Sequence, residues 1–199
     1  ALRAIVPHPQ VLTATAELRP YESDGLTAYA QLPLLAVLPD TVAQISASLR
    51  RCSQINVKVG PRGAGTSLSG GALPLADGLL LGLARLNRIL DIDFENQCVV
   101  AQPGVTNLAI TEAVAHAGFY YAPDPSSQIA CTIGGNVAEN SGGVHCLKYG
   151  LTTNNLLGVE MALIGGEVVR LGGRHLDPAG LDLMGINTGT EGLLRVITE

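Results

Sequence analysis

Hydrophobic residues in this chain fall into short blocks punctuated by glycine and proline, not into long periodic runs. The block "LLAVL" (34–38) is continuously apolar and predicts a buried strand stopped by Pro39. Val42, Ile45, Leu49 and Cys52 then recur at three and four residues, the spacing of one helix face, with Asp40 placed as its N-cap. "NVKVG" predicts a second strand, so the order is strand, helix, strand. "GLLLGLA" reads as another buried strand, and "ILDIDFENQCVVAQPG" as two strands joined at Glu95-Asn96. A helix fits "TNLAITEAVAHAG", capped by Thr106, ended by Gly118, and turning Leu108, Thr111, Val114 and Ala115 inward. "LLGVEMALI" and "EVVRLG" flank Gly165-Gly166, a two-residue hairpin signal. A short helix around 179–186 and a closing strand at 193–198 complete an α+β pattern.

Two stretches lack any period. Residues 1–33 are rich in proline and predict an arm lying on the surface of the core. Residues 119–150 are dense in glycine and small polar residues, and an irregular run of that length inside a compact domain usually binds something.

Composition narrows the classes. The chain has 199 residues, 47% of them hydrophobic and 15% charged, with a net charge of -5, so it buries a core and carries no basic run for nucleic acid. No apolar run approaches the roughly 20 residues of a membrane-spanning helix. The chain opens at Ala1 with no visible signal peptide, and the cytoplasm is the expected compartment. Cys52, Cys98, Cys131 and Cys146 match no zinc or iron–sulfur spacing and are expected to be reduced, packed thiols.

The candidate chemistry starts at "GPRGAGTSLSGG", Gly60 to Gly71. A P-loop needs lysine followed by serine or threonine after its last glycine, but Thr66 stands at the lysine position. A dinucleotide fingerprint needs a third glycine where Leu68 stands, and a helix that "SLSGGALP" opposes. What remains is a nest of backbone amides, with Thr66, Ser67 and Ser69 adding hydroxyls, that suits an anion; an ordinary surface turn is the alternative. The second cluster, "PDPSSQIACTIGGNVAENSGGVHCLKYG", carries two Gly-Gly pairs around Asn136, Asn140 and Ser141. Two such loops suit a large cofactor with a diphosphate and a polar ring system.

"PRGAGTSLSGGA", "QPGVTNLAI", "YYAPDPSSQIACTIGGNVAENSGGVHCLKYGLT" and "GTEGLLRVITE" together resemble the PCMH-type FAD-binding domain of the vanillyl-alcohol oxidase superfamily. Within it the chain is most similar to the FAD subunits of bacterial glycolate oxidases, near relatives of D-lactate and D-2-hydroxyglutarate dehydrogenases. The resemblance runs from about Tyr21 to Glu199. It implies an α+β fold of two α/β subdomains, about 34–85 and about 86–199, with FAD between them. By motif position, the amides of Arg62, Gly63, Ala64, Gly65, Thr66 and Ser67 hold the diphosphate, Pro61 lies beside them at the cofactor, and Gly70-Gly71 continue the loop. Pro103, Gly104, Asp124, Pro125, Ser126, Thr132, Ile133, Gly134, Gly135, Asn136, Asn140, Ser141 and Gly142 line the cofactor, and Glu191 and Ile197 sit near its nucleotide portion. No histidine stands in the glycine loop, so the FAD is expected to be noncovalent. Arg195 occupies a position where the family usually has glycine.

The same resemblance implies oxidation of a small 2-hydroxy acid, glycolate or D-lactate, by hydride transfer to the flavin, with electrons passed to an iron–sulfur partner among further subunits. Attachment at the inner membrane would then come through those partners. The family's substrate half, with its His-rich metal motif and general base, follows the cofactor domain and is not among these residues, so this stretch is expected to bind FAD without turning over. A D-2-hydroxyglutarate-type sibling and an inactive binding or assembly module are the alternatives. His145 is the one acid/base candidate, although a loop histidine more often orders its loop. No metal site is expected.

Overall fold

The computed structural model describes residues 2–175 and 180–199. Its first sheet has the order β1-β2-β4-β3, built from Val11–Leu12 (β1), Leu35–Val37 (β2), Lys58–Arg62 (β3) and Gly78–Gly82 (β4). β2 and β3 both run parallel to β4, and β1 is antiparallel to β2. All five residues of β4 are buried, as expected of a central parallel strand covered on both faces. Pro61 sits in β3, the edge strand, where its missing N–H disrupts no ladder.

The helix expected behind β2 spans Val42–Gln54 (α2) and buries Ile45, Leu49 and Cys52. Its cap is Thr41, whose hydroxyl accepts from the Gln44 amide at 3.2 Å, in place of the expected Asp40. The Asp40 carboxylate is drawn elsewhere by Arg85 and Gln10, which hold its carboxyl below the usual range.

The first 33 residues are more than a surface arm. β1 extends the sheet, Val6 and Val11 join the main core, and a short helix, Thr15–Leu18 (α1), packs Leu18 on Ala36 and Leu80 at the opposite face.

The remaining strands form a hairpin, Ile89–Asp93 (β5) with Cys98–Ala101 (β6), and an antiparallel sheet of order β8-β7-β9 from Gly158–Ala162 (β7), Val168–Gly172 (β8) and Val196–Ile197 (β9). Ala162 and Val196 enter the same core cluster as Ile45, Leu79 and Leu81, so this sheet packs on the first through α2. The β7–β8 turn is wider than two residues: Leu163 pairs with Glu167, Gly166 has φ 88°, and Ser46 of α2 bonds its carbonyl. A left-handed glycine closing a three-residue loop explains the extra residue. β9 is shorter than expected, leaving Leu193 and Leu194 exposed.

Asn107–Val114 (α3) is capped by Thr106, and Gly118 at φ 81° ends the turn that follows it. The face is offset by one residue: Asn107, Ile110 and Val114 are buried, while Leu108 and Thr111 are half-buried and Ala115 is exposed. The Asn107 side chain donates to the Pro123 carbonyl at 2.9 Å, which turns that edge inward.

The 119–150 stretch, expected to be irregular, holds two short helices, Ile133–Glu139 (α4) and Cys146–Tyr149 (α5). Their glycines lower intrinsic helicity, but at Gly134 a side chain would meet Pro103 at 2.5 Å, so the small residue is what lets α4 dock. A last helix, Leu183–Asn187 (α6), is capped by Asp182; residue 179 of the expected 179–186 span lies outside the described residues.

Candidate functional site

β3 delivers the chain straight into the glycine loop, and the loop's shape is set by Arg62. Its guanidinium is buried, donating through Nη1 to the Ala72 carbonyl and through Nη2 to the Ser23 carbonyl, both at 2.9 Å. Burial pulls its pKa down, against the raising effect of Asp24 and Tyr21. Gly65, at φ 72°, lies so close to this guanidinium that any side chain there would collide with it. The Arg62 side chain is therefore committed to holding the two ends of the loop together.

The second glycine segment meets the first at Gly63. A Cβ on Gly63 would strike Thr132 Oγ1 at the start of α4, and the Cα of Gly135 lies behind it. The amides of Ile133 and Gly134 are taken up by the Val105 and Pro103 carbonyls at 2.8 and 2.9 Å, which ties α4 to the "QPGV" segment. Gly192, at φ 77°, packs against Pro61 and brings the "GTEG" turn to the same place.

These segments enclose a cleft of about 270 Å³. Of the expected site residues, it gathers Pro61 to Ser67, Gly71, Pro103, Thr132, Gly134, Gly135, Asn136, Ser141, Glu191 and Ile197. The others lie off its wall. Gly70 is in the loop at φ 81°, where a side chain would meet nothing within 4 Å among the described residues, and Gly104 is packed on the Leu83 and Leu86 carbonyls. Asn140 ends α4 in the left-handed region and accepts from the Thr153 amide; Gly142 packs on Leu151. Pro125 is buried, Ser126 is exposed, and Ile133 faces a second cleft.

Asp124 is engaged outside the cleft with His145. The His145 amide donates to Oδ1 at 3.1 Å, and Nδ1 lies 2.6 Å from Oδ2. Burial works against the Asp124 carboxylate, but the amide and imidazole of His145 outweigh it and hold its carboxyl below the usual range. His145 therefore orders this loop beside Tyr120 and Tyr149, with Lys148 Nζ 4.9 Å from the Tyr149 ring centre.

The cleft's own chemistry is legible in what its buried atoms lack. Thr132 Oγ1, Asn136 Nδ2, and Nε and Nη1 of Arg195 are all buried there without a hydrogen-bond partner among the described residues. Buried polar groups are ordinarily satisfied, and leaving one unpaired costs about 1–3 kcal/mol. Such donors ask for an acceptor-rich ligand. Two carboxylates share the wall: a side chain on Gly71 would come within 2.8 Å of Glu191 and 3.1 Å of Glu139. Burial raises the Glu139 carboxyl first, and the Glu191 charge raises it further. Donors for phosphate oxygens and carboxylates for sugar hydroxyls, on a surface stripped of Cβ atoms, fit a dinucleotide such as FAD.

A second, larger cleft of about 900 Å³ lies between the β5–β6 hairpin and the β7–β8 sheet, and shares Pro103, Gly134 and Ile197 with the first as a common wall. Among the described residues no three His, Cys, Asp or Glu side chains converge to hold a metal, and no helix is long and apolar enough to cross a membrane.

Sequence reasoning missed Arg195 as part of the site, although a charged residue inside the apolar run "LLRVI" was its signal. Glu139 also lines the cleft without having been assigned to it from sequence, and there was no signal for Leu83, Ser127, Cys131 or Ala138, which reach it only through tertiary packing.

The comparisons agree with this geometry. A family model described as FAD binding domain matches residues 33–172. The glycolate oxidase subunit GlcD of Escherichia coli (strain K12) is 56% identical over 199 residues, which is 100% of this chain and 40% of that protein. The protein of the same name from Bacillus subtilis (strain 168) is 43% identical over 90% of this chain and 38% of its own length. The mitochondrial D-2-hydroxyglutarate dehydrogenase of Bos taurus is 34% identical over 100% of this chain and 36% of its own. This chain thus spans about two fifths of the length of these relatives. In fold it matches alkyldihydroxyacetonephosphate synthase with a TM-score of 0.85 over 99% of this chain and 38% of that one, at 22% identity. With 140 consecutive residues under the family model and two glycine segments closing on one donor-lined cleft, the chain belongs to the FAD binding domain family.

Proposed function

We propose that this chain is the cofactor-holding part of a 2-hydroxyacid dehydrogenase that oxidises glycolate to the 2-oxo acid and passes electrons to an iron–sulfur partner. The observation that carries the reading is the cleft of partnerless donors between the two glycine segments, supported by the glycolate oxidase names of relatives 56% and 43% identical. When bound, FAD supplies a hydride acceptor, and the protein supplies position and electrostatics.

In this reading the backbone amides of residues 62 to 67 cradle the diphosphate, and Arg62 keeps that cradle in shape from behind. Thr132 and Asn136 donate to the cofactor from the second segment, and Glu139 and Glu191 accept from its hydroxyls. Pro103 and Gly134 give a flat, side-chain-poor surface. Residues 34–85 and 86–199 are the two subdomains that meet along the cleft, and Thr66-Ser67-Leu68 in the loop favours a noncovalent cofactor. Asp124 and His145 order the loop that borders the reacting side. The reaction takes place in the cytoplasm, with any membrane attachment through partner subunits.

The test is the visible spectrum of the purified protein before and after denaturation. Flavin bands that are released into the filtrate on unfolding are expected; a colourless chain that binds no added FAD would overturn the assignment. Dye reduction by the full-length protein with its partners then separates substrates. Glycolate is expected to be turned over faster than D-lactate or D-2-hydroxyglutarate, and the reverse order would move the chain to a sibling activity.

A further inference from the structure

We infer that Arg195 is a charged anchor for the diphosphate of the dinucleotide. The inference rests on the FAD reading above. Arg195 precedes β9 and is 5% exposed, yet it lies in the wall of the glycine cleft, not on the outer surface. Both Nε and Nη1 are sealed from solvent without a partner among the described residues. Burial pulls its pKa down, to about 10, with no carboxylate among the described residues acting against it. The guanidinium is therefore charged at neutral pH and uncompensated among the described residues.

A buried cation in that state is costly, and folded proteins pair such groups. The other buried arginine of the cleft shows the contrast: Arg62 spends two nitrogens on the carbonyls of Ala72 and Ser23 and has Asp24 nearby. Glu139 and Glu191 reach the same cleft but gather at Gly71, and neither bonds Arg195. What the site lacks is an anion with oxygens spaced for a guanidinium fork, and a phosphate is the group that fork matches best. The guanidinium would also offset the repulsion that the two carboxylates impose on a negatively charged ligand.

The position makes a sharp prediction because the apo and loaded states respond in opposite directions. Arg195→Met keeps an unbranched apolar stem and removes the charge. In the cofactor-free protein it is expected to leave the melting temperature unchanged or raise it, since an unpaired buried charge is gone. The same variant is expected to weaken FAD binding, followed by quenching of flavin fluorescence, by about 10- to 100-fold, the range of one charge-assisted hydrogen bond. ADP, which carries the diphosphate without the flavin, should lose affinity by a similar factor. Arg195→Lys, which keeps the charge without the fork, should fall between. FAD affinity of the wild type should also decline more steeply with salt than that of the Met variant. Wild-type FAD affinity in Arg195→Met would overturn the inference while leaving the FAD reading intact. A cofactor-free melting temperature that falls in step with the loss of binding would also overturn it, by making Arg195 a structural residue. A wild type that binds no FAD would overturn both readings.

Discussion

Gly63 is where the two glycine segments touch, and replacing it by alanine tests that contact directly. The backbone at Gly63 does not lie in the left-handed region, so alanine brings no conformational strain of its own. The added methyl would instead approach Thr132 Oγ1 well inside 3.0 Å, a distance real Cβ atoms do not reach. Forcing a methyl into a packed contact costs about 1–3 kcal/mol. For a chain of this length each kcal/mol lowers the melting temperature by about 2–4 °C. The colliding atom is a hydroxyl that has no partner among the described residues, so removing it in Thr132→Ala should change stability by less than about 1 kcal/mol, lost methyl packing roughly offsetting the orphan donor. In the double variant the new Cβ would face the Cβ of residue 132 at 3.8 Å and the Cα of Gly135 at 3.9 Å, both ordinary contacts. The double variant should therefore recover most of the loss, giving a coupling of about 1–3 kcal/mol in a double-mutant cycle read from denaturant or thermal melts of the four proteins. Cofactor affinity should not recover, because the Thr132 hydroxyl is gone. A Gly63→Ala protein that melts with the wild type, or a loss that Thr132→Ala does not relieve, would refute the placement of the two segments against each other.

Arg62→Met should lower stability by about 3 kcal/mol, twice the smaller value for a bond from a charged donor, and should weaken FAD binding through a loosened loop; Arg62→Lys should not restore it, since one ammonium cannot span both carbonyls. Glu139 has its carboxyl raised in the folded chain, so protonation favours folding: its contribution is fully present below the ordinary carboxylate range and is lost as pH rises through the raised value. Glu139→Gln should accordingly melt above the cofactor-free wild type at pH 7, and that gain should shrink toward pH 4; a gain that persists at low pH would exclude carboxylate repulsion as its cause. In a thiol titration with Ellman's reagent, Cys98 and Cys146 should react quickly, whereas Cys52 and Cys131, at 1% and 4% exposure and with thiols pushed up by burial, should react only after unfolding.

Much of this protein is readable from local chemistry. The apolar run 78–82, the caps at Thr106 and Gly118 and the strand pair joined at Glu95-Asn96 depend on residues near one another in sequence, and each appears in the structure at or close to its expected place. The glycine segments announce close approach because a missing Cβ is visible in the sequence itself. The family follows from them, since several spaced motifs rarely coincide by chance. What local chemistry leaves open is decided by partners far along the chain. Asp40 looks like a cap until Arg85 and Gln10 claim its carboxylate, and α3 turns one residue further than its apolar spacing suggests because Asn107 finds the Pro123 carbonyl. Arg62 enters the loop in sequence as one backbone amide among several, and only folding commits its side chain to Ala72 and Ser23. Arg195 looks like an interruption in an apolar strand, and only the closure of the sheet on the glycine loop leaves it as a buried charge with no counter-ion among the described residues. The physical reason is the same in each case: spacing determines which groups a segment offers, whereas the energy of a buried polar group depends on what the rest of the chain places within 3 Å of it.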